Sequence, residues 1–464
     1  MKNFDYSTYL SPFTWRYGSN EMRKIWSEVY KRKIWRKIWV ELARTQSKLG
    51  LVSKKELDDI AKHQDDIDIE RSQEMEKEIY HDVMAEIKTF AAQCKIGGGK
   101  IHFGATSTDI IDNADIIQII EALDLIKNKL NKTLDNFAKQ IEKYKDTVCM
   151  GYTHLQPAEP TTLGYRLSLY AQDLFWDLEF IKKMQSFIKG KGIKGAVGTS
   201  ASYQKLLKDK DMSAFEMEEN IMKNLNLDAV EISGQTYPRK IDWFIAIILA
   251  NIAQSLHKFN FDLRIMQSPQ FGEWSEPRNA KRVGSSAMPF KENPDKAEKV
   301  CSLCRYASSL LNVAWSNPSL SLLERTLDDS ANRRIFLPET FLAIDECLET
   351  TNALIKGLVI FEDVIEANLQ KYGIFSSTEN LMIELVKKGA DRQKIHEIIR
   401  EYSMLSWNKV TEGKKNPLVN LLSNDKRVLE YISKEDINRF FNPRDHIGIA
   451  MERTERFLRK LKSK

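Results

Sequence analysis

Residues 105–150 contain neither glycine nor proline, the two residue types that most readily interrupt a helix. Apolar side chains recur within this stretch at intervals of three and four residues. They are Ile116, Ile120, Leu123, Leu130, Leu134, Phe137, Ile141, Tyr144 and Val148. Lys127 is the one gap in the series. This spacing places the apolar side chains on one face, so the stretch predicts a single long helix with one flat apolar seam.

Four more segments lack glycine and proline and are long enough for helices of several turns. They are residues 165–189, 239–267, 295–317 and 339–356. Residues 241–253 are apolar nearly all round, which is typical of a helix buried on every side. No sustained alternation of apolar and polar residues predicts a strand. We therefore expect an all-α fold with a central bundle of long helices, completed by other subunits that cover the apolar seam.

Two clusters of turn-forming residues suggest domain boundaries. Three glycines at residues 97–99 begin a loop that leads into the long helix, and a turn-like cluster at residues 372–374 opens a region of shorter amphipathic segments. At 464 residues the chain also exceeds the usual size of a single hydrophobic core. We predict three helical domains: an N-terminal domain (1–111), a central long-helix bundle (112–364) and a C-terminal domain (365–464).

The charges of the chain are mixed along the sequence, with 70 basic and 65 acidic residues and a net charge of +5. The densest basic stretch, residues 31–37, alternates cations with Ile34 and Trp35. Its helical spacing predicts an amphipathic helix with a solvated basic face rather than an RNA-binding surface. The apolar run at residues 243–250 is far shorter than the roughly 20 residues that cross a bilayer. We expect no nucleic-acid partner and no membrane association.

The cysteines favour a reducing compartment, because there are five of them, an odd number, thinly spread. Cys301 and Cys304 have CxxC spacing, but no second pair follows, so we interpret them as helical neighbours in a core. The start of the chain lacks the apolar core of a secretory signal, and we expect a cytoplasmic protein. HExxH and a dinucleotide fingerprint are both missing, which predicts no metal site and no cofactor.

The loop at residues 284–298, GSSAMPFKENPDKAE, concentrates the groups that could act on an anion. Two serines follow Gly284, and a Met-Pro pair separates them from Lys291 and Asn293, with Glu298 at the end. A serine with no base beside it in sequence is a poor nucleophile, which argues against a hydrolase elbow. The pattern favours a mobile loop that gathers a hydroxyl, an ammonium and an amide around an anion. The alternative is a surface turn rich in serine and lysine.

Two further patches lie at breaks between the predicted helices. Thr106 and Ser107 precede the long helix, where one hydroxyl caps the helix and the other groups could seat a carboxylate or phosphate. His154 follows Thr153 in a segment bounded by glycine and proline, so its ring is oriented rather than mobile. Histidine transfers protons near neutral pH, and His154 is therefore a candidate general acid or base, although a structural role is the alternative.

Polar residues elsewhere are candidates for holding an anionic ligand. Arg325 and Arg334 flank Ser330 in a segment that suits a planar anion or a phosphate, or alternatively forms a surface ion-pair network with neighbouring aspartates. Gln235 could hydrogen-bond an amide-like edge of a ligand. Near the amino end, the pairs Arg16-Tyr17 and His81-Asp82 add a cation, an aromatic ring, a histidine and a carboxylate.

The 284–298 loop matches the pattern G-S-S-x-M-P-x-K-x-N-x-x-x-x-E, which resembles the fumarase/aspartase superfamily of lyases. Other stretches extend the resemblance over almost the whole chain: SPFTWRYGSNEM, HDVMAEIKTF, IHFGATSTD, GYTHLQPAEPTTLG, KGAVGTSAS, SGQTYPRK, LERTLDDSANRR, TENLMIELV and DRQKIHEIIR. The Arg16-Tyr17 pair, SGQTYPRK and ERTLDDSANRR are similar to the adenylosuccinate lyase family within that superfamily. These three stretches point to a nucleotide substrate.

The resemblance implies a homotetramer of mostly helical, three-domain subunits, with active sites formed where loops of three subunits meet. It implies elimination of fumarate from adenylosuccinate, which gives AMP, and from succinyl-aminoimidazole carboxamide ribotide, which gives the free carboxamide. From the signature loop and the lack of metal-ligand clusters in the sequence, we expect the reaction to need no metal and no organic cofactor.

The resemblance also assigns roles to residues. Ser285 would be the general base, although spacing alone does not separate it from Ser286; Lys291 and Asn293 would stabilise the developing carboxylate. His154 would be the general acid, oriented by Glu298. The residues implied to bind substrate are Arg16, Tyr17, Tyr80, His81, Asp82, Thr106, Ser107, Thr153, Gln235, Lys299, Arg325, Ser330 and Arg334. Among these, Thr106, Ser107 and Thr153 would hold the succinyl carboxylates and the others the nucleotide.

Two positions depart from the pattern of the family. Tyr80 stands where an arginine is expected and carries no charge, and Lys299 stands where an arginine is common and lacks the bidentate fork. Neither change affects the proton-transfer groups. Three alternatives stay open at this point: a sister lyase such as argininosuccinate lyase or a cycloisomerase, a non-catalytic descendant, and an RNA-binding helical protein.

Overall fold

The structure is a computed structural model that describes residues 5–278 and 283–463, and it is 66% helical. In chain order the α-helices of the described residues are α1 (Asn20–Ile25), α2 (Glu28–Lys48), α3 (Lys54–Lys62), α4 (Ile69–Ile79), α5 (Asp82–Gln93), α6 (Ser107–Lys143), α7 (Leu163–Met184), α8 (Ala201–Leu206), α9 (Ala214–Asn224), α10 (Lys240–Met266), α11 (Asp295–Ser309), α12 (Leu311–Ser319), α13 (Ser330–Lys356), α14 (Glu362–Lys387), α15 (Arg392–Thr411), α16 (Leu418–Leu422), α17 (Lys426–Leu429), α18 (Lys434–Arg439) and α19 (Ala450–Lys462). The predicted all-α fold is confirmed.

Short strands and 3-10 turns connect these helices. Strand β1 (Val148–Thr153) pairs antiparallel with β2 (Gln156–Thr162), and β3 (Trp274–Ser275) pairs antiparallel with β4 (Val359–Ile360). The 3-10 turns span Pro12–Thr14, Gly98–Lys100, Gln185–Phe187 and Pro443–Asp445. Within the described part of the chain, the helices lack any stretch with the length and apolarity of a membrane span.

The chain divides into two compact units. Unit 1 comprises Met1–Asn131, Trp176–His257 and Val300–Glu349. Unit 2 comprises Lys132–Phe175, Lys258–Lys299 and Thr350–Lys464. The division into three domains at residues 111 and 364 stays a prediction.

Helix α6 is the long helix expected from the sequence, but it ends at Lys143, so the prediction that it continues to Val148 is wrong. Beyond Lys143 the backbone turns: the Tyr144 carbonyl accepts a hydrogen bond from the Gly164 amide at 2.8 Å, and the Thr147 carbonyl accepts one from Leu163 at 2.8 Å. Val148 then pairs with Thr162 at the start of a hairpin. Backbone pairing of β-branched residues therefore replaces the last turn of the expected helix.

The apolar seam of α6 is covered within one chain except at Ile120, which is partly buried. Ile116, Leu123 and Leu130 are fully buried, and so is Phe137, whose ring lies 5.0 Å from that of Phe259 in an edge-on contact. The expectation that this seam needs other subunits to cover it is wrong, because helices distant in sequence already pack against it.

Two other sequence expectations change for identifiable reasons. The turn expected at residues 372–374 is not formed, because α14 continues through it. Gly373 is instead a packing position, since a Cβ there would lie 2.6 Å from the Cβ of Pro443. The segment expected at 295–317 is divided at Leu310 into α11 and α12, and α13 begins before Pro338 rather than after it.

Helix α2 does not carry the fully solvated basic face expected for residues 31–37. Arg36 is fully buried, where its Nε donates to Glu86 Oε1 at 2.8 Å and its Nη1 donates to Gln93 Oε1 at 2.8 Å. Arg32, one turn earlier on the same face, is also buried, with its guanidinium 4.0 Å from the Trp35 ring centroid. Two cations on this helix are thus turned into the protein rather than toward solvent.

His102 is held as a neutral hydrogen-bond acceptor beside the same helix. The Trp39 indole N–H donates to His102 Nδ1 at 3.0 Å, and burial lowers the pKa of His102 from 6.5 to about 4. The backbone of His102 also has a positive φ of 67°. Between about pH 4 and pH 6.5, the unfolded chain therefore binds a proton that the folded chain excludes.

We predict that this histidine makes stability depend on pH. Its stabilising contribution is complete above pH 6.5 and is lost as pH falls toward 4, by about 1.4 kcal/mol for each pH unit between those values. The His102→Asn variant keeps an acceptor and tolerates the left-handed backbone, but it does not titrate. Melting temperatures measured from pH 7.5 to 5 should fall less steeply in the variant. Equal slopes for the two proteins would contradict this account.

Candidate active site

His154 occupies the turn of the hairpin formed by β1 and β2. Thr153 pairs with Gln156, which leaves His154 and Leu155 as a two-residue turn, with φ values of 54° and 60°. Such turns favour Asn-Gly, because a side chain at positive φ is strained by about 1–3 kcal/mol. The sequence placed His154 in a loop between helices, whereas the structure presents it, exposed to solvent, at the tip of a rigid hairpin.

A buried carboxylate anchors this hairpin. Glu273 is fully buried and accepts hydrogen bonds from the Tyr152 hydroxyl at 3.1 Å, from Arg166 Nη1 at 3.0 Å and from Asn368 Nδ2 at 3.0 Å. Arg166 also donates to the Met150 carbonyl, inside β1. Burial, followed by the charge of Glu273, raises the pKa of Tyr152, so its hydroxyl stays protonated as a donor. The base of the hairpin is therefore fixed although its tip is exposed.

The 284–298 loop places one serine in a defined electrostatic setting. Ser285 Oγ accepts hydrogen bonds from the backbone amides of Ala287 at 3.3 Å and Met288 at 3.1 Å. Two amide donors favour the anionic form of an oxygen over the neutral form. Ser286 is exposed to solvent, and no hydrogen bond to its hydroxyl occurs among the described residues. The two adjacent serines, which spacing could not separate, thus have different surroundings.

The same loop is closed on itself by short-range contacts. Asn293 Nδ2 donates to the Gly284 carbonyl at 3.0 Å, and the Lys291 amide donates to the Met288 carbonyl at 3.0 Å. Lys291 has an exposed side chain. A Cβ at Gly284 would lie 2.2 Å from the Lys291 carbonyl oxygen, so only glycine fits there. The loop is compact, and its ammonium group faces solvent.

Glu298, at the start of α11, is not joined to His154 within the described part of one chain. Its Oε1 lies 3.8 Å from Arg264 Nη2. Lys299 follows it on the same helix and is partly buried. The orienting contact between Glu298 and His154 stays a prediction.

A second set of predicted residues meets in unit 1, around a cavity of about 140 Å³ that we call the anion cavity. Asp82, Arg325, Ser330 and Arg334 all line it, and Lys31, Arg32, Thr108, Arg239 and Arg333 line it as well. Sequence patterns did not indicate these last five residues as candidates. Arg239 and Arg333 stand inside SGQTYPRK and LERTLDDSANRR, so these motifs could have identified them, whereas helical spacing placed Arg32 on a solvated face.

Ion pairs organise the floor of the anion cavity. Arg239 binds both carboxylate oxygens of Asp112, at 3.1 and 3.2 Å, and Arg333 Nε binds Asp242 Oδ2 at 2.7 Å. Arg325 Nη1 donates to Asp329 at 2.7 Å. Burial by itself would raise the pKa of Asp329, but the charges of Arg239 and Arg325 hold it below its ordinary value. The ion-pair network is therefore real, and it coexists with a cavity lined by cations.

The remaining predicted substrate residues lie on the surface or at helix starts. Arg16 is exposed, with its guanidinium 5.6 Å from the Trp15 ring centroid and 5.8 Å from that of Tyr17. Tyr80 is 91% exposed, and His81 caps α5 by accepting from the Met84 amide at 3.4 Å.

The polar residues around the start of α6 are partly ordered by local bonds. The Thr106 amide donates to Asp109 Oδ2 at 3.0 Å, and Ser107 is the first residue of the helix. The Gln235 carbonyl accepts from the Thr108 hydroxyl at 2.5 Å, which leaves its amide side chain available. Thr153 is exposed at the end of β1.

Glu159, Glu379 and His446 bring two carboxylates and a ring nitrogen within 4.8 Å of one another. The hydrogen bond between the two glutamates, with burial and charge repulsion, raises the pKa of Glu159. Two of the three side chains are exposed, and exposed acidic groups are common without a metal ion.

Comparison with known proteins decides the family. A model described as "Lyase" matches residues 15–307, and one described as "Adenylosuccinate lyase C-terminus" matches residues 375–457. Adenylosuccinate lyase from Schistosoma mansoni is 38% identical, with 98% of this chain and 95% of that protein aligned. The enzymes of the same name from Saccharomyces cerevisiae and Methanocaldococcus jannaschii are 37% and 35% identical, with 98% of this chain aligned and 95% and 96% of those proteins.

The chain belongs to the adenylosuccinate lyase family. Among solved structures, a fumarate lyase from Mesorhizobium sp. BNC1 matches with a TM-score of 0.84 at 22% identity, covering 97% of this chain and 99% of that one. A 3-carboxy-cis,cis-muconate lactonizing enzyme from Pseudomonas putida matches with a TM-score of 0.84 at 23% identity, covering 97% and 99%. These two structures establish the fold of this chain. The resemblance inferred from the sequence motifs is confirmed.

We predict that Gly284→Ala impairs this adenylosuccinate lyase homologue without unfolding it. The added methyl group collides with the Lys291 carbonyl and opens the 284–298 loop, so turnover should fall at least roughly 10-fold. Gly99→Ala is the matched control, because nothing lies within 4 Å of a Cβ there. Lyase turnover and melting temperature would be measured for both variants. Unchanged turnover in Gly284→Ala would show that the closed loop is dispensable.

Proposed function

We propose that this chain eliminates fumarate from adenylosuccinate to give AMP, and performs the same reaction on succinyl-aminoimidazole carboxamide ribotide. Relatives named adenylosuccinate lyase that align over nearly the full length support this proposal. The observation that carries it is the setting of Ser285, whose hydroxyl oxygen accepts two backbone amides in a loop that also holds Lys291 and Asn293.

The chemistry sets three demands on the site. It must remove a weakly acidic proton next to a carboxylate, stabilise the resulting doubly charged carboxylate, and protonate the departing nitrogen. An ordinary serine hydroxyl is too weak a base for the first step. The amides of Ala287 and Met288 favour its anion, and the exposed ammonium of Lys291 would add a positive charge when substrate closes the loop.

His154 is proposed as the general acid. Its place at the strained tip of a hairpin with an anchored base gives a fixed starting point for donating a proton to the leaving nitrogen. Glu298 is proposed to orient the imidazole in the assembled site. Proton transfer by such a group contributes roughly 10²–10⁴-fold to the rate.

Substrate binding is proposed to divide between the two sets of residues. Thr106, Ser107 and Thr153 would hold the succinyl carboxylates, and Gln235 the base or its substituent. The nucleotide and its phosphate would be held by Arg16, Tyr17, Tyr80, His81, Asp82, Lys299, Arg325, Ser330 and Arg334. Serine, lysine and histidine supply the proton transfers and the charge that the reaction needs, so we infer that no metal or organic cofactor takes part.

We further propose a cytoplasmic homotetramer with shared sites. The seam of α6 does not support a tetramer, because its own chain covers it. Exposed apolar side chains on other helices support the tetramer instead. Leu169 and Trp176 lie seven residues apart on one face of α7 and are 52% and 59% exposed, and Phe261 on α10 is 45% exposed. Exposed apolar surface on long helices is typical of subunit interfaces.

We predict that the purified protein converts adenylosuccinate to AMP and fumarate, and that Ser285→Ala lowers turnover at least roughly 10³-fold while substrate affinity changes little. The base acts in the transition state, which is why binding should survive. The adjacent Ser286→Ala is the matched control and should be much milder, since its hydroxyl lacks the two amide contacts. Steady-state absorbance kinetics and calorimetric binding would measure both effects.

Two results would count against the assignment. A wild-type protein that leaves adenylosuccinate unchanged would refute the function, whatever the variants do. A dead Ser286→Ala beside a near-normal Ser285→Ala would keep the function and move the base to the neighbouring serine.

Shared sites lead to a separate prediction. Ser285→Ala and His154→Ala proteins should each be inactive alone, but a mixture taken through subunit exchange should regain part of the activity, because some sites then receive both native residues. Exchange would be verified with a distinguishable tag on one variant. A mixture that exchanges fully and stays inactive would mean that each site takes both residues from one chain.

A further inference from the structure

The anion cavity is lined by six cations and four carboxylates, all in the described part of unit 1. Two carboxylates that do not line it also pair with these cations: Asp242 with Arg333, and Asp329 with Arg239 and Arg325. Five of the six cations donate a hydrogen bond to a carboxylate. The pairs include Lys31 with Glu28 at 2.6 Å, Arg334 with Asp82 at 2.6 Å and Arg325 with Asp329 at 2.7 Å. Arg32 is the exception.

Arg32 is a buried cation without a hydrogen bond. Its side chain is 6% exposed, and its Nε and Nη1 atoms are buried with no hydrogen-bond partner among the described residues. The nearest carboxylate oxygens belong to Glu28 and Glu86, each 3.8 Å away, which is too far for a hydrogen bond. One face of the guanidinium lies on the Trp35 ring, 4.0 Å from its centroid. The group is held in place by stacking while its donors stay unused.

A buried guanidinium with unpaired donors destabilises the folded chain unless a hydrogen-bond acceptor binds to it. A guanidinium does not give up its proton at any physiological pH, so burial cannot neutralise it. Even if Nε moved closer to Glu86, Nη1 would remain without an acceptor. Leaving buried donors unpaired destabilises a protein, and charged donors more than neutral ones. The cavity beside Arg32 is where an acceptor could enter.

We propose that Arg32 binds the phosphate of the nucleotide substrate, together with Arg325, Ser330 and Arg334. This inference rests on the proposed function, because it names a further residue of the same site. A phosphate monoester carries close to two negative charges and three acceptor oxygens, which suit the unpaired donors and the planar fork of the Arg32 guanidinium. Arg32 thereby contributes a donor that no motif in the sequence indicated.

The neighbourhood of Tyr80 fits this assignment. Tyr80 stands where the resemblance predicts a cation, yet it is 91% exposed and is not among the residues that line the anion cavity. Arg32 on α2 supplies the positive charge that Tyr80 lacks. The main alternative is that Arg32 only supports the packing of α2 against Trp35 and Glu86, and the test must separate that role from ligand binding.

The experiment compares a ligand that has the phosphate with one that lacks it. Calorimetry would measure the affinities of AMP and adenosine for the wild type, for Arg32→Met and for Arg32→Lys. Arg44→Met is the matched control: it lies on the same helix, is 45% exposed and pairs with Glu41 outside the cavity. Melting temperatures would show whether each variant is folded.

We expect Arg32→Met to weaken AMP binding roughly 10- to 100-fold and to change adenosine binding less than about twofold. Arg32→Lys should be intermediate, because it keeps the charge and loses the fork. In turnover of adenylosuccinate, KM should rise with kcat nearly unchanged. The control should behave as the wild type in every measurement.

Equal losses for AMP and adenosine, or no loss for AMP, would assign Arg32 to packing alone and overturn the inference. If Arg32→Met does not fold, Arg32→Lys decides: an unchanged ratio of AMP to adenosine affinity would also overturn it. Failure of the proposed function is a separate result, seen as a wild-type protein that binds AMP through its phosphate but does not cleave adenylosuccinate.

Discussion

Two buried arginines hold unit 1 together. Arg239 binds Asp112 on α6 and Asp329 beside α13, and Arg333 on α13 binds Asp242 on α10 and Asp115 on α6, the latter at 3.0 Å. Segments far apart in sequence thus meet around two guanidinium groups. Removing one partner from such a network leaves a buried charge uncompensated, which typically costs about 3–5 kcal/mol. The same network forms the floor of the anion cavity, so the positions of the cations that line it are set by the fold.

The groups proposed for proton transfer have the opposite character. His154 lies at an exposed turn whose two residues adopt positive φ, and Ser285 lies in a loop that only glycine at 284 allows to close. Strain and exposure lower local stability, and functional segments are commonly among the least stable parts of a protein. In the hairpin the rigid part is separate from the exposed residue. Glu273 fixes the base of the hairpin, while His154 at the tip stays accessible to substrate.

Sequence patterns were enough to predict the long helices. A run without glycine or proline and with apolar residues on one face is compatible with few structures other than a helix. They also placed the candidate residues Ser285 and His154 outside the helices, where the structure has them. They failed where a long-range contact decided the outcome. The end of α6 depends on pairing between Val148 and Thr162, and the helical course of α14 through Gly373 depends on Pro443. Neither partner can be identified from local periodicity.

The basic stretch on α2 shows the same limit. A cation at helical spacing looks solvated when only its own helix is considered, but Trp35 and Glu86 determine that Arg32 and Arg36 turn inward. The adjacent serines at 285 and 286 are a second case, since only the fold of the loop shows which hydroxyl receives the backbone amides.

Because the α6 seam is buried within one chain, folding of this helix does not depend on association with other copies. If the apolar face of α6 were covered only by a neighbouring subunit, the helix would fold only on association. Its stability would then vary with protein concentration. Here Ile116, Leu123, Leu130 and Phe137 are already enclosed by their own chain. In the proposed tetramer, each subunit could therefore acquire its long-helix core before it encounters another copy. Association would then join preformed surfaces, and dilution would be expected to disrupt the proposed shared sites before it unfolds the chain.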